Sequence, residues 1–121
     1  MIHIVLVSNS RADWMMMEHL LAKMHQSASE NLRMTVLIAG SHTVSATGKT
    51  TPVMELSGVD SIVIDGDWED TSISQGTEFG RLLDGCTRVL SDLEADCVVV
   101  LGDRLELLPI ATACLLARVK M

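Results

Sequence analysis

The chain has 121 residues, which suits one domain, and 48% of them are hydrophobic, enough to bury a substantial core. Its net charge of −7 excludes the basic surface that nucleic-acid binding requires. No apolar run is long enough to span a membrane, and no cationic stretch precedes the first apolar run as in a signal peptide. The three cysteines lack Cys-x-x-Cys spacing, and two lie in apolar segments, which favours reduced thiols and a cytoplasmic protein.

The first part of the chain predicts two strands and one helix. Ile2–Ser8 is short and β-branched and ends at polar residues, as a buried strand does. A helix is expected from about Asp13, which stands where an N-cap would. Its apolar stripe follows the helical period and consists of Met17, Leu20, Leu21 and Met24. Leu32–Gly40 is the second predicted strand.

The second part of the chain predicts two further strands and two helices, in the order strand, helix, strand, helix. The third strand is Ser61–Asp65, and a long helix over Ile73–Leu93 leads to the fourth strand, Cys97–Leu101. Leu105–Arg118 is the last predicted helix. The polar segment between strands two and three has room for a short helix near Val53–Leu56.

Strands that alternate with helices predict a parallel sheet wound by right-handed crossovers, that is, a partial doubly wound α/β fold with strand order 3-2-1-4. Residues 1–121 form part of a single domain in this prediction. Strands one and four are then neighbours, and ligands bind beyond their carboxyl ends. Strand four is apolar on both faces yet lies at the sheet's edge, and the last helix is expected to expose an apolar patch that consists of Leu105, Leu108, Leu115 and Leu116. We therefore expect the chain to self-associate.

The polar residues that follow these strands are the candidate site. Arg11 and Asp13 follow strand one, His42 follows strand two, and Asp103 and Arg104 follow strand four. A carboxylate at a low-dielectric sheet edge can be tuned for proton transfer, and a guanidinium can bind a phosphate with two parallel hydrogen bonds. The alternative is that Asp103 caps the last helix and Arg104 is only solvated.

Other chemical signals are weaker. The segment Ala46–Thr51 has the sequence ATGKTT, but Thr43 stands where a phosphate-binding P-loop needs its first glycine. A polar loop in which Lys49 contacts a phosphate fits better. No metal-ligand spacing and no nucleophile-elbow motif is present, so neither a metal nor a cofactor is predicted.

Three segments resemble the UDP-N-acetylglucosamine 2-epimerases: SNSRADW after strand one, AGSHTVSATGKT after strand two and VVVLGDRLELLPIATA around strand four. R-A-D and G-D-R-x-E are typical of the hydrolysing branch, used in sialic-acid-type sugar synthesis, whereas the non-hydrolysing branch carries G-T-R-P-E and G-D-T. The resemblance covers the whole chain but only about the first third of such an enzyme. It implies the N-terminal, Rossmann-like domain of a two-domain GT-B arrangement, with the nucleotide sugar between the domains.

The resemblance also implies a reaction, in which UDP-N-acetylglucosamine and water give N-acetylmannosamine and UDP. The proton at C2 is removed, UDP is eliminated to leave a glycal, and water is added. By this likeness Asp103 is a catalytic carboxylate. The implied substrate-binding residues are Arg11, Asp13, His42, Arg104 and Glu106.

The sequence departs from the family pattern in three places. Leu101 stands where a His is frequent, and Pro109 stands where Ala is usual and is expected to delay the last helix. The family's His-x-x-Gly-Gly segment, further acidic residues and second domain do not follow. We therefore expect an N-terminal fragment that is inactive in isolation. The alternatives are a non-catalytic module that binds ligands or assembles with a partner, and a small phosphate-binding module that uses Lys49.

Overall fold

The structure is a computed structural model of the chain, and it describes residues 1–27, 30–43, 59–66, 71–102 and 104–121. The described strands form one four-stranded parallel sheet in the order β3-β2-β1-β4. The strands are β1 (Ile2–Ser8), β2 (Leu32–Ile38), β3 (Asp60–Val63) and β4 (Cys97–Val99). This confirms the predicted partial doubly wound, Rossmann-like sheet and its order.

Three α-helices lie in the described part of the chain: α1 (Arg11–Ser27), α2 (Ser72–Leu93) and α3 (Leu107–Leu116). Thr71 caps α2 by accepting a hydrogen bond from the Ser74 N–H at 3.2 Å. α3 begins two residues later than the pattern indicated. Pro109 lies in its first turn, where a missing N–H costs no helical hydrogen bond. The short helix predicted near Val53–Leu56 lies outside the described residues.

Three strands are shorter than predicted, and one of them is β3, which covers Asp60–Val63 rather than Ser61–Asp65. β2 ends at Ile38 rather than Gly40, because Gly40 has a φ of +59° and begins a short 3-10 helix, Gly40–Thr43. β4 ends at Val99 rather than Leu101, and its ladder with β1 covers only Ile4–Leu6. β2 and β4 therefore end before the residues that form the turns at the carboxyl edge of the sheet.

The sheet is covered on both faces. Alternate residues of β1 divide between two cores, because Val5 and Val7 pack with α2 and α3, whereas Leu6 packs with α1. The α2–α3 core includes Leu37, Leu82, Cys86, Leu90 and Ile110; the α1 core includes Met17, Leu21, Met34, Val36 and Ile38. Because the helices occupy the faces, polar side chains collect at the carboxyl edge of the strands.

The outer edge of β4 is partly covered, which corrects the expectation of an open edge. Lys120 lies beside Cys97 in a parallel bridge, and the Val98 N–H donates to the Lys120 carbonyl at 2.7 Å. The residues after α3 thus begin to pair with β4. Self-association stays a prediction, and its remaining basis is the exposed leucines of the last helix, Leu108, Leu115 and Leu116.

Candidate functional site

A hydrogen-bonded cap fixes the first turn of α1 at the carboxyl end of β1. The Asp13 N–H donates to Ser10 Oγ at 3.2 Å, and the Asn9 N–H donates to Asp13 Oδ2 at 3.1 Å. This reciprocal arrangement resembles a capping box. Ser10 therefore takes the capping position expected for Asp13, and the helix begins at Arg11. Asp13 is buried in this cap, whereas Arg11 is exposed at the sheet edge.

A buried pair joins the ends of β1 and β2. His42 Nε2 lies 2.8 Å from Ser8 Oγ, and Ser8 Oγ also lies 3.3 Å from the Ser10 carbonyl. His42 is only 1% exposed, so its ring lies beneath the edge rather than on it. The pair fixes the turn after β2 against the turn after β1. Sequence reasoning missed Ser8, because a serine at the end of a strand carries no signal of its own.

Thr43 joins the ends of β2 and β3. Its hydroxyl lies 2.9 Å from the Gly40 carbonyl and 3.1 Å from the Gly66 carbonyl, and it accepts a hydrogen bond from the Gly66 N–H at 3.2 Å. A single buried hydroxyl thus lies within hydrogen-bonding distance of two segments that are distant in sequence. Sequence reasoning missed this residue as well.

Gly40 is the point at which three segments of the edge converge. A Cβ at this position would lie 2.6 Å from the Asn9 carbonyl oxygen and 3.0 Å from Glu106 Oε1. Its φ of +59° is also strained for any residue with a side chain. Only glycine lets the turns after β1 and β2 and the segment after β4 approach this closely.

The segment after β4 carries an ion pair between a buried carboxylate and a half-exposed guanidinium. Arg104 Nε lies 3.4 Å from Glu106 Oε2, and the two side chains are 41% and 7% exposed. A buried carboxylate is tolerated only when it is paired or hydrogen-bonded. Asp103, the predicted catalytic residue, lies outside the described residues. The other predicted site residues all lie along the carboxyl edge: Arg11, Asp13, His42, Arg104 and Glu106.

The cysteines lie away from this edge. Burial raises the pKa of Cys86 to about 12, with a smaller contribution from Cys114. Burial, then the neighbouring Cys97, also raises the pKa of Cys114. Both thiols therefore stay protonated at neutral pH and are poor nucleophiles.

The described residues provide neither a metal site nor a membrane-spanning helix. No group of three or more His, Cys, Asp or Glu side chains within the described ranges can hold a metal ion. Of the described helices, none combines the length and apolar character needed to cross a bilayer.

Comparison with known protein families identifies a match over most of the chain. The family model described as UDP-N-acetylglucosamine 2-epimerase matches residues 24–121, which is most of the chain and includes the segments after β2 and β4. A search of curated proteins found no match.

Proposed function

Because the chain belongs to the UDP-N-acetylglucosamine 2-epimerase family, we propose that its carboxyl edge forms one wall of a site for UDP-N-acetylglucosamine. The proposed reaction is the hydrolysing one, which yields N-acetylmannosamine and UDP. A base removes the C2 proton, the C1–O bond to UDP breaks to leave a glycal, and water adds across the double bond. The observation that carries the proposal is the convergence at Gly40 of the ends of β1 and β2 with the segment after β4.

We assign the acid–base role to Asp103. It follows Gly102, whose φ of +91° turns the chain at the end of β4, and it precedes the ion-paired Arg104. In a doubly wound sheet, the residues that follow a strand beside β1 are expected at the switch point where ligands bind. A carboxylate placed there can exchange a proton with the substrate once water is excluded.

We propose that the two exposed arginines of the carboxyl edge bind the diphosphate of the substrate. Arg11 is the first residue of α1, and Arg104 is half-exposed after β4. The chain as a whole carries a charge of −7, so an anionic ligand must be held by local donors such as these. Asp13 and His42 are buried in the turns beneath, and we propose that they contribute to the pocket by holding its shape.

Because we expect the chain to be inactive in isolation, the test measures UDP release from UDP-N-acetylglucosamine in a two-domain form of the protein, with the sugar product identified. The Asp103→Asn variant keeps the side-chain shape but removes the base, so turnover should fall by about 10²–10⁴-fold. The matched control is Asp92→Asn, an exposed carboxylate on α2 that should leave turnover unchanged. Wild-type turnover in Asp103→Asn would reject the catalytic assignment. Release of UDP-N-acetylmannosamine instead of the free sugar would reject the hydrolysing route.

The second candidate function is a non-catalytic module that binds ligand or assembles with a partner. It is favoured by the exposed apolar side chains of α3, where Leu115 is 77% exposed and Leu116 is 60% exposed. Calorimetric titration with UDP, combined with the release assay on the two-domain form, separates the two candidates, since binding without UDP release in that form supports the module. Light scattering tests assembly, and a monomer at all concentrations would reject it.

We also propose a cytoplasmic location. The described cysteines are all free thiols, and Cys86 and Cys114 are buried in the core rather than placed for a disulfide at the surface. Reduced, buried thiols are typical of proteins in a reducing compartment. Fractionation of cells that express the protein tests this, and recovery only outside the cytoplasm would contradict it.

A further inference from the structure

Glu106 is a buried carboxylate in the segment after β4, and each of its two oxygens has a close neighbour. Oε2 faces Arg104 Nε at 3.4 Å, and Oε1 lies 3.0 Å from the position where a Cβ on Gly40 would be. The side chain is 7% exposed. The carboxylate is therefore enclosed between the turn after β2 and the base of the Arg104 guanidinium.

A direct contact between Glu106 and the diphosphate would be unfavourable. An ionised carboxylate has only acceptor atoms, and it repels phosphate oxygens at short range. Its effect on an anionic ligand must then come through the arginine that it pairs with.

The ion pair constrains the arginine from one side. A guanidinium carries its five N–H donors in one plane. Within this plane the Nε–H points to one side, and the two terminal amino groups form a separate edge. When a buried carboxylate holds the Nε side, the terminal amino groups are left to make the paired hydrogen bonds that a phosphate accepts. Ordering the side chain in advance also lowers the entropy lost on binding.

We propose that Glu106 is a positioning residue, which aims the Arg104 guanidinium at an oxyanion of the ligand's diphosphate, with Gly40 providing the space for it. The inference rests on the proposed function for the identity of the ligand. The orientation of Arg104 by Glu106 is independent of that identity.

The first experiment measures the order of arginine side chains in the ligand-free protein, by ¹⁵N relaxation of the Nε–H groups. Arg104 should be restrained, in contrast to the exposed Arg118. Glu106→Gln should mobilise Arg104. The matched control is Glu78→Gln, which removes another buried carboxylate whose Arg81 partner lies 3.1 Å away in α2, and it should leave Arg104 restrained. A wild-type Arg104 as mobile as Arg118 would overturn the proposal, even if Glu106→Gln fails to fold.

The second experiment is a calorimetric double-mutant cycle with UDP as the probe. Glu106→Gln should weaken UDP binding about tenfold in the wild-type background and have no effect in the Arg104→Gln background. An equal loss in both backgrounds would show that Glu106 acts on the ligand without Arg104 and would overturn the proposal. If the wild-type chain does not bind UDP, the proposed function fails, and the relaxation experiment alone decides whether Glu106 orders Arg104.

Discussion

Ser8 Oγ and His42 Nε2 lie 2.8 Å apart, and both side chains are buried at the ends of adjacent parallel strands. The pair connects residues that are 34 positions apart in the chain. Since His42 is enclosed, its contribution to the site is to fix the turn that begins at Gly40. The geometry of the edge therefore depends on a hydrogen bond below it.

Ser8→Ala should lower the free energy of unfolding by about 1–3 kcal/mol, because it removes a buried hydroxyl from the His42 ring. Urea unfolding of wild type and variant measures the difference. The control is Ser91→Ala, an exposed helical serine whose Oγ donates to the Thr87 carbonyl. It should change stability by less than about 0.5 kcal/mol. Equal stability of Ser8→Ala and wild type would show that the buried pair contributes nothing.

Gly40→Ala should be among the most damaging single substitutions, since the added Cβ would lie 2.6 Å from the Asn9 carbonyl oxygen. The positive φ adds strain, and we expect a loss of about 2 kcal/mol or more. Gly80→Ala is the matched control. Gly80 is exposed within α2, and apart from the adjacent residues and backbone of its own helix no atom lies within 4 Å of its Cβ position, so alanine should stabilise the protein by about 0.5–1 kcal/mol. Melting temperatures that shift in the same direction for both variants would contradict the role of Gly40.

Ser10→Ala removes the acceptor for the Asp13 N–H at the start of α1. The expected loss of unfolding free energy is about 1 kcal/mol, as for other N-caps. Chemical denaturation measures it, and Glu18→Gln on the exposed face of the same helix serves as the control. If the cap also sets the position of Arg11, UDP affinity should fall in Ser10→Ala but not in Glu18→Gln. Unchanged stability would mean that another group caps the helix.

The stability of the protein should fall at alkaline pH because of Cys86. Burial raises the pKa of this thiol from 9 to about 12, so between these pH values the unfolded chain releases a proton that the folded chain keeps. The unfolded state then binds fewer protons, and unfolding free energy decreases with rising pH by roughly 1 kcal/mol per unit. The loss begins near pH 9, the ordinary pKa of the thiol, and is negligible well below it.

Urea unfolding at several pH values from 8 to 11 measures this slope, and the chain has no tyrosine that would titrate in the same range. Cys86→Ala should lose stability at all pH values through its cavity, and it should also have a flatter pH dependence. A slope in Cys86→Ala equal to that of wild type would show that other groups cause the alkaline loss.

The sequence predicted the sheet and its order because β-branched runs and helical stripes recur in strict alternation. Prediction from sequence was less reliable where two nearby residues could both take the same structural position, such as the N-cap of a helix. Ser10 and Asp13 are both good N-caps, and only the three-dimensional path of the chain selects Ser10. In α1 the apolar stripe included Leu20, yet this side chain is 44% exposed while Met17 and Leu21 are buried.

The candidate site was predictable in outline but not in its internal contacts. Residues that follow parallel strands must meet at one edge, so Arg11, His42 and Arg104 were placed there by pattern alone. The close approach at Gly40 and the bridging hydroxyl of Thr43 depend on backbone turns that have no sequence period. The pairing of Lys120 with Cys97 was missed because so few residues follow α3 that no strand pattern develops.

The most direct test of the proposed site is an NMR titration of the ¹⁵N-labelled chain with UDP-N-acetylglucosamine, followed through the backbone amides. The amides that shift should be those after β1, β2 and β4, such as Arg11, His42 and Arg104. Those at the opposite end of the sheet, such as Asn31 and Asp96, should stay unchanged. Saturable shifts confined to the carboxyl edge would support the site. Saturable shifts centred on the opposite end, or none at millimolar ligand, would contradict it.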